Sequence, residues 1–326
     1  MSFTGFKFNT WQNCFMFFLS LNCVLESTTS GRSYYNSPNN CVIEGCSFYR
    51  SSVFSSNGAV ILISGTDTVL SISKCMFNNV YSSGGHGGAI SFSGVESSIK
   101  QTCAHQCDCG TSYGHFAYII VSSGLNVFEM DSVTKCTTRF SGACPINTIG
   151  GNQANNALNM SKNIVDFVSG ITISSPNSLN CTHCTFYSNL VKSLVCIDLI
   201  GGTSNNLLTF CNVIENNSPT YGVFYIRNSP YKIQYSIINQ NTGTLFVIDS
   251  GSAEVMDSAI SHGGVLKSGL FSTNNNVSLI QLPSLHLVHY STYLCPGNSG
   301  IGFVSGSRKS PSNNVFFIFT LILQFL

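Results

Sequence analysis

An internal repeat of 22 to 29 residues constrains the fold of this chain more than any other feature. Most repeats are marked by a Cys or Ser that is followed two residues later by Phe, Val or Ile, whereas Cys103, Cys107 and Cys136 mark repeats by their spacing alone. The marked positions are Cys46, Cys75, Cys103, Cys107, Cys136, Cys184, Cys211, Ser236 and Ser258. A repeat of this length indicates a solenoid, in which each repeat forms one coil and stacks on its neighbours.

Each repeat contains three short segments of alternating or continuous apolar residues, separated by Gly, Asn and Ser. Such segments are typical of strands joined by turns. No stretch has apolar residues at helical spacing over three turns, and none has helix caps. The sequence therefore predicts an all-β solenoid, a parallel β-helix with three short strands per coil.

The composition agrees with stacked coils. Only 8% of the residues are charged, with 14 Lys and Arg against 13 Asp and Glu, whereas the chain has 50 Ser and 33 Asn. Equivalent residues of successive coils lie about 4.8 Å apart, where like charges repel and Asn side chains can form ladders. Nucleic-acid binding is excluded, because so few scattered cations cannot neutralise a run of phosphates.

Both ends of the chain differ from the repeat. Residues 1–30 are predicted as a signal peptide, or else an N-terminal apolar segment of the fold, because a short apolar run precedes small polar residues. Residues 31–304 form the β-helix domain, with an insertion predicted at 137–180, where the repeat is interrupted. Residues 305–326 are a polar spacer and a hydrophobic tail, interpreted as a GPI signal, a partial membrane anchor or a capping strand.

Cysteine use agrees with export. Of 15 Cys, those at positions 14 and 23 would leave with the signal, and the odd number that remains leaves at least one without an intramolecular partner. The spacing Cys181-X-X-Cys184 beside His183, and the group Cys103, Cys107 and Cys109 beside His105, suggest zinc. They lack a matching second pair, so buried or disulfide-bonded cysteine is favoured. The stacked pairs Cys46/Cys75 and Cys184/Cys211 are within disulfide reach, but unbridged stacks are expected because their side chains point in parallel directions.

Catalytic residue types are scarce. After the signal there are seven Asp, no two of them adjacent, although stacking could bring Asp198 and Asp249 together across coils. The glycines around His86 suit a tight turn. Tyr34, Tyr35, Tyr290 and the tyrosines of 221–231 could stack on sugars, but they could equally form stabilising ladders. The sequence predicts no catalytic, metal or cofactor-binding residues.

Four Asn-X-Ser/Thr sequons for N-glycosylation begin at Asn159, Asn180, Asn216 and Asn276.

Short motifs resemble those of known surface proteins. Gly87-Gly-Ala-Ile90 and Phe186-Tyr-Ser-Asn189 resemble the Gly-Gly-Ala-Ile and Phe-X-X-Asn repeats of chlamydial polymorphic membrane proteins. Ile214-Glu-Asn-Asn217 and Ile238-Asn-Gln-Asn241 are similar with Ile for Phe. The Ser-, Asn- and Cys-rich texture resembles β-helix surface proteins of trichomonad protists. The resemblance implies a right-handed parallel β-helix displayed at the cell surface, with adhesion as its activity.

These observations predict a non-catalytic, cell-surface or secreted scaffold or adhesin-like protein, associated with the membrane through its tail. Its partners are expected among host or extracellular glycans or proteins, and not nucleic acids. Two alternatives remain. A polysaccharide lyase or glycoside hydrolase could use a pectin-lyase-like β-helix, and a structural coat component would need no soluble ligand.

Overall fold

The structure is a computed structural model that describes residues 24–26, 33–35, 40–137, 141–203, 205–262, 267–274, 276–279 and 282–295. Within these residues every regular element is a β-strand and every strand pairing is parallel. The predicted parallel β-helix with three strands per coil is confirmed. None of the described residues belongs to a helix that could span a membrane. The predicted C-terminal tail lies outside these ranges, as does the predicted signal apart from 24–26.

Three long sheets form the walls. Sheet 1 contains β1 (Val24–Glu26), β4 (Ser47–Tyr49), β8 (Met76–Asn78), β12 (Cys103–His105), β15 (Ser132–Thr134), β18 (Asn159–Ser161), β22 (Thr185–Tyr187), β26 (Asn212–Ile214), β30 (Ile237–Gly243) and β33 (Ala259–His262). Through β30 it also joins β27 (Asn217–Ser218), β23 (Leu190–Val191) and β19 (Ile164–Val165).

Sheet 2 contains β2 (Ser33–Tyr35), β6 (Ile61–Ser64), β10 (Ile90–Gly94), β13 (Ala117–Val121), β16 (Ile146–Ile149), β20 (Val168–Ser174), β24 (Val195–Ile200), β28 (Gly222–Arg227), β31 (Phe246–Asp249) and β34 (Lys267–Ser268). Sheet 3 contains β3 (Asn40–Glu44), β7 (Val69–Ser73), β11 (Glu96–Lys100), β14 (Leu125–Glu129), β17 (Asn152–Asn156), β21 (Ser178–Thr182), β25 (Asn206–Thr209), β29 (Pro230–Gln234), β32 (Ser252–Met256) and β35 (Phe271–Thr273). A small pair, β5 (Ser52–Ser56) and β9 (Tyr81–Gly84), lies beside them.

Successive side chains of a strand point alternately into and out of the solenoid. The apolar side chains at the inward positions of stacked strands therefore form one continuous core. Rings of successive coils stack there: the centroids of Phe48 and Phe77 are 4.8 Å apart, and those of Phe224 and Phe246 are 4.9 Å apart. All four rings are buried. The core therefore continues along the axis, and each coil depends on its neighbours for burial.

Left-handed residues form the corners on both sides of sheet 1. The corner before sheet 1 uses Gly45, Lys74, Gln101, Met130, Ala157, His183, Phe210, Tyr235 and Asp257, all with φ between 46° and 67°. The corner after it uses Arg50, Asn79, Gln106, Lys135, Lys162, Ser188, Glu215 and Gln240. Side chains other than Gly pay about 1–2 kcal/mol for this conformation. Hydrogen bonds to the next coil, such as Phe210 N–H to Gln234 O at 3.1 Å, offset that cost.

The residue after each left-handed corner points inward and forms a column. Corner column 1, before sheet 1, contains Cys46, Cys75, Thr102, Asp131, Leu158, Cys184, Cys211, Ser236 and Ser258. Its thiols and hydroxyls donate to the carbonyl two residues earlier, as Cys75 Sγ does to Ser73 O at 3.2 Å and Ser236 Oγ to Gln234 O at 2.8 Å.

Corner column 2, after sheet 1, ends in four buried asparagines: Asn163, Asn189, Asn216 and Asn241. The Oδ1 of Asn189 accepts from the backbone N–H and the Nδ2 of Asn163, both at 3.1 Å. The same pattern links Asn189 to Asn216 and Asn216 to Asn241. Each amide also donates to a carbonyl of the preceding coil, such as Asn189 Nδ2 to Met160 O at 2.9 Å. These asparagines form a ladder of side chains through four coils.

The predicted insertion at 137–180 is wrong. Strands β16, β17, β18, β20 and β21 continue all three sheets through this stretch in regular register. The repeat is hard to see because Leu158 occupies the cysteine position of corner column 1, and because polar Gln153 and Asn155 are the buried side chains of β17. The Gln153 Oε1 accepts from Asn126 Nδ2 at 3.0 Å, which satisfies it inside the wall.

Three predicted equivalences are shifted, two of them by one residue and the third by one corner of the coil. Cys103 pairs with Met76, so Thr102 is the true equivalent of Cys75. Ile214-X-X-Asn217 is likewise shifted, because Val213 pairs with Phe186 and Asn216 carries the ladder. Cys107 and Cys136 each follow the corner after sheet 1 and belong to corner column 2. The sequence thus predicts the length of the repeat correctly, but it does not determine which residues of neighbouring coils pair with one another.

Residues 282–295 form a C-terminal strap along the outer face of sheet 1. Its Leu285 exchanges hydrogen bonds with Asn212, N–H to Oδ1 at 2.8 Å and Nδ2 to O at 2.9 Å. Further along, the buried ring of His289 contacts Ala157 O and Thr185 Oγ1, both at 2.8 Å. The strap ends at Cys295, which forms a disulfide with Cys103. The strap therefore runs back over the coils towards the N-terminal part of the solenoid.

Candidate ligand-binding face on sheet 2

The outer face of sheet 2 has a row of polar and aromatic side chains. One register position contains Ser91, Tyr118, Asn147, Thr172, Asp198, Tyr225 and Val247 in neighbouring strands. The residues on either side of them along each strand are core apolar residues, so this position projects outward. Asn147, Thr172 and Asp198 are nevertheless only 5–6% exposed. They form a buried polar floor between Tyr118 and Tyr225.

A second apolar cluster lies beside this row. Ala143, Cys144, Val168 and Val195 are buried together outside the main core, with Leu194 and Tyr225 packed against them. Ala143, Cys144 and Leu194 come from the connections that lead into sheet 2, whereas Val168, Val195 and Tyr225 belong to its strands β20, β24 and β28. Connections and strands together therefore form an apolar wall along the face.

Asp198 and Arg227 form an ion pair on this face. The Nη2 of Arg227 lies 3.2 Å from Oδ1 and 3.1 Å from Oδ2 of Asp198. Burial raises the pKa of Asp198, and the charge of Arg227 opposes that shift. The guanidinium also stacks over Tyr225, with Cζ 4.7 Å from the ring centroid. Its Nε is buried without a hydrogen-bond partner among the described residues, so the pair retains an unused donor.

The two carboxylates singled out in the sequence lie on this same face. Asp198 pairs with Tyr225, whereas Asp249 pairs with Arg227 two positions further along the strands. Their strands are two steps apart, about 9.6 Å along the axis. Among the described residues Arg227 forms its ion pair with Asp198, which is buried, while Asp249 is exposed. Stacking does bring both carboxylates to one side of the sheet, with a cation between them.

The two zinc-like spacings have different outcomes. Cys103 is joined to Cys295, and Cys107 lies in corner column 2, so the first group does not converge. Cys181 and Cys184 do converge, and Cys211 of the next coil completes a buried cluster of three sulfurs within 4.8 Å of one another. His183 points outward at its corner and is exposed. The sequence predicts that Cys211 stacks on Cys184, but the zinc-like spacing with Cys181 does not include Cys211.

Among the described residues, the side chains of Cys109 and Asp108 both contact the buried ring of His115. The Sγ of Cys109 is 3.5 Å from Nδ1 of His115, and Oδ1 of Asp108 is 3.0 Å from that same nitrogen. A Cys-His-Asp triad needs the carboxylate on the other ring nitrogen. That atom, Nε2, instead contacts Ser141 O at 3.0 Å. Because burial raises the pKa of the Cys109 thiol, this group is not an activated nucleophile.

Aromatic side chains have several roles. The sequence analysis missed an exposed stack of His183, Phe210 and Tyr235 on the corner before sheet 1, with centroids 5.3 and 5.2 Å apart. Face-to-face stacking leaves mainly ring edges for a ligand. Tyr231 is buried and donates to Gly201 O at 2.6 Å, so it is structural. His86 stacks on Tyr118 at 4.6 Å, at the other end of the sheet 2 row.

The cysteine stacks are unbridged as expected: Cys46, Cys75, Cys184 and Cys211 are all buried, and none of them forms a disulfide with its stacked partner. Burial raises the pKa of Cys144 to about 12 and of Cys196 to about 12, which keeps these thiols protonated and unreactive. Most cysteines of the described chain thus serve as small core residues.

No family model, no curated protein and no solved structure matches the chain.

Proposed function

We propose that this protein is a non-catalytic, cell-surface or secreted β-helix scaffold that binds an extracellular ligand through the outer face of sheet 2. The observation that carries the proposal is the Asp198–Arg227 pair stacked on Tyr225. Exposed Tyr221 extends this patch, with its ring centroid 6.3 Å from that of Tyr225. Rigid strands thus hold an aromatic surface and hydrogen-bonding groups side by side.

The charges of this patch favour an uncharged, hydroxyl-rich ligand. Asp198 already neutralises Arg227, so a carboxylated ligand would gain little from the cation. The partly exposed guanidinium can still donate hydrogen bonds to hydroxyl oxygens, and the tyrosines offer apolar rings. A neutral glycan presents both kinds of group, which makes neutral extracellular glycans the proposed ligand class.

A matched pair of exposed tyrosines tests this ligand site. Tyr221→Ala should weaken binding of the full chain to an array of neutral glycans by about tenfold, the equivalent of about 1.4 kcal/mol. Tyr235→Ala, which removes a similarly exposed ring on another corner, should leave binding unchanged. Equal losses in both variants, or none in either, would contradict the proposed face.

A glycan-degrading enzyme is the second candidate, and the shared face of Asp198 and Asp249 favours it. Hydrolysis with inversion uses two carboxyl groups about 6.5–9.5 Å apart, one of them with a raised pKa. The full chain should show no turnover of neutral or uronic-acid polymers, because Asp198 is held by Arg227. Turnover that is lost in both Asp198→Asn and Asp249→Asn would establish catalysis and overturn the scaffold proposal.

A structural coat component is the third candidate, and labelling of intact cells with a membrane-impermeant reagent separates it from a surface scaffold. Efficient labelling of exposed lysines such as Lys74 supports display at the surface. Labelling only after the coat is dissolved supports the coat.

Export and membrane association rest on the predicted signal and tail, and the sequons offer a test. Asn180 and Asn276 are exposed, whereas Asn159 and Asn216 are buried. A glycan on Asn216 would block the ladder bonds of its Nδ2. We expect protein made in a eukaryotic secretory pathway to carry glycans at Asn180 and Asn276 only, as mapped by mass spectrometry after enzymatic deglycosylation. Occupied Asn216 in folded protein, or no occupied sequon, would contradict this expectation.

A further inference from the structure

Three buried thiols from two neighbouring coils meet where sheet 3 turns into sheet 1. Cys181 lies at the end of β21, Cys184 follows the corner, and Cys211 is the next member of corner column 1. Their sulfur atoms all lie within 4.8 Å of one another. Each residue is 3% exposed or less. It is the one group of three such ligand residues in the described part of the chain.

The size of this triangle suits a trigonal metal ion. With metal–sulfur bonds of about 2.3 Å, three sulfurs in one plane around an ion lie about 4.0 Å apart. Small side-chain rotations would therefore close the triangle around an ion. The sulfurs now contact carbonyl oxygens, including Cys184 Sγ to Thr182 O at 3.3 Å and Cys211 Sγ to Thr209 O at 3.3 Å. These S–H bonds are weak and would be exchanged for metal bonds.

The number of donors selects the kind of ion. Zinc takes four ligands in structural sites, and the fourth is a protein group or water. Here His183, the adjacent candidate, is exposed and stacks on Phe210 at 5.3 Å, and burial of all three cysteines keeps water away. Soft thiolate ligands favour Cu(I), which accepts three sulfurs in a plane without a fourth donor.

We propose that Cys181, Cys184 and Cys211 form a buried, trigonal binding site for a soft monovalent metal ion, Cu(I). The ion would fasten two successive coils at the corner between sheet 3 and sheet 1. Because the cluster is closed to solvent, loading accompanies folding, as in other structural metal sites. This site is independent of the ligand-binding face on sheet 2.

The chain itself supplies a matched pair of variants. Serine already occupies corner column 1 at Ser236, where its hydroxyl makes the same bond to the carbonyl two residues earlier. Cys211→Ser should therefore fold while removing one ligand. Cys75→Ser makes the same change in the same column, outside the cluster, where Cys75 Sγ donates to Ser73 O at 3.2 Å.

The full chain and both variants are produced with added copper, purified without oxygen, and analysed for copper per chain and by X-ray absorption. We expect one tightly held Cu(I) with three sulfur neighbours in the unaltered chain and in Cys75→Ser. In Cys211→Ser the affinity, measured by competition with a Cu(I) chelator, should fall by at least about 100-fold. Circular dichroism confirms that each variant is folded.

Four results would overturn the proposal: no retained copper in the unaltered chain, equal affinity in Cys211→Ser, two sulfur neighbours instead of three, or a disulfide among the three cysteines in peptide mass mapping. Zinc with four ligands in the purified protein would likewise overturn the choice of ion.

Discussion

The two corner columns beside sheet 1 solve the same problem in different ways. Both must satisfy buried backbone groups where the chain turns out of a strand. Corner column 1 uses thiols and hydroxyls that donate to a carbonyl of their own coil, as Ser258 Oγ does to Met256 O at 2.7 Å, and that accept from a backbone N–H of the preceding coil, as Ser258 Oγ does from Ser236 at 3.1 Å. The asparagines of corner column 2 bond forward and backward at once, so that Asn216 contacts Asn241 Oδ1 in one coil and Phe186 O in another.

Both columns vary along the solenoid: corner column 1 contains Cys, Thr, Ser, Asp and Leu, and corner column 2 contains Ser, Val, Cys and Asn. The asparagines occupy four successive coils of corner column 2. An amide that donates and accepts between coils has no substitute of the same shape, so the ladder ties these four coils together.

Asn189→Ala should cost most. It removes the Oδ1 of Asn189, which accepts from the backbone N–H and the Nδ2 of Asn163. It also removes the Nδ2 of Asn189, which donates to Met160 O. Several buried groups would lose their partners, at about 1–3 kcal/mol each, so the free energy of unfolding should fall by about 4 kcal/mol. Denaturant unfolding measures this, with exposed Asn180→Ala as a control expected within about 0.5 kcal/mol of the unaltered protein. A loss below about 1 kcal/mol would remove the distinction between the columns.

Asp131→Asn should have the next largest effect, and its size depends on pH. Asp131 is fully buried in corner column 1; its Oδ1 accepts from Thr102 N–H at 2.7 Å, and its Oδ2 has no hydrogen-bond partner among the described residues. Burial raises its pKa well above the usual value. The folded state therefore favours the neutral acid, whose stabilising contribution is complete below the ordinary carboxyl pKa and is lost as pH rises through the raised one.

The variant should match the unaltered protein at about pH 3, below the ordinary carboxyl pKa, and exceed its unfolding free energy by about 1–2 kcal/mol at about pH 8. An amide supplies a donor at every pH, as the thiols of this column do, and carries no charge. Asp249→Asn removes the same charge from an exposed position and should show no such divergence. Parallel pH profiles for Asp131→Asn and the unaltered chain would disprove the buried-acid interpretation.

Ser236→Ala should cost least, about 1 kcal/mol. It removes the bond to Gln234 O at 2.8 Å and the acceptor for Cys211 N–H at 3.0 Å. Ser236→Cys should restore most of the stability, because the column uses Cys elsewhere. The comparison between the columns fails if Ser236→Ala is as damaging as Asn189→Ala.

The solenoid was predictable because Cys46, Cys75, Cys184 and Cys211 mark the same corner and a Phe or Val follows two positions later. Spacing alone fixed the period, yet it could not distinguish Thr102 from Cys103, since register is set by backbone pairing. The coil through β17 was hidden because its buried side chains are polar, and one of them, Gln153, accepts a hydrogen bond from Asn126 of the neighbouring strand.

The candidate sites were less predictable. Asp198 and Asp249 could be recognised as carboxylates beside apolar segments, although Asp198 lies within β24 and only Asp249 ends its strand. The cation between them follows from the register of β28. Cys211 joins Cys181 and Cys184 for the same reason. The C-terminal strap lacks the repeat, and its disulfide joins residues 192 positions apart, a pairing that sequence alone cannot supply.

The strap changes how the solenoid should unfold. In a repeat protein each unit contacts only its neighbours, so coils can fray one at a time from either end. Here one segment contacts strands from β30 back to β12, through Asn239, Asn212, Thr185, Ser132 and Cys103. No coil under the strap can open alone without breaking its contacts with this segment. The strap should therefore make the coils beneath it unfold together, as the parts of a globular domain do. Reduction of the Cys103–Cys295 disulfide should allow these coils to unfold one after another again.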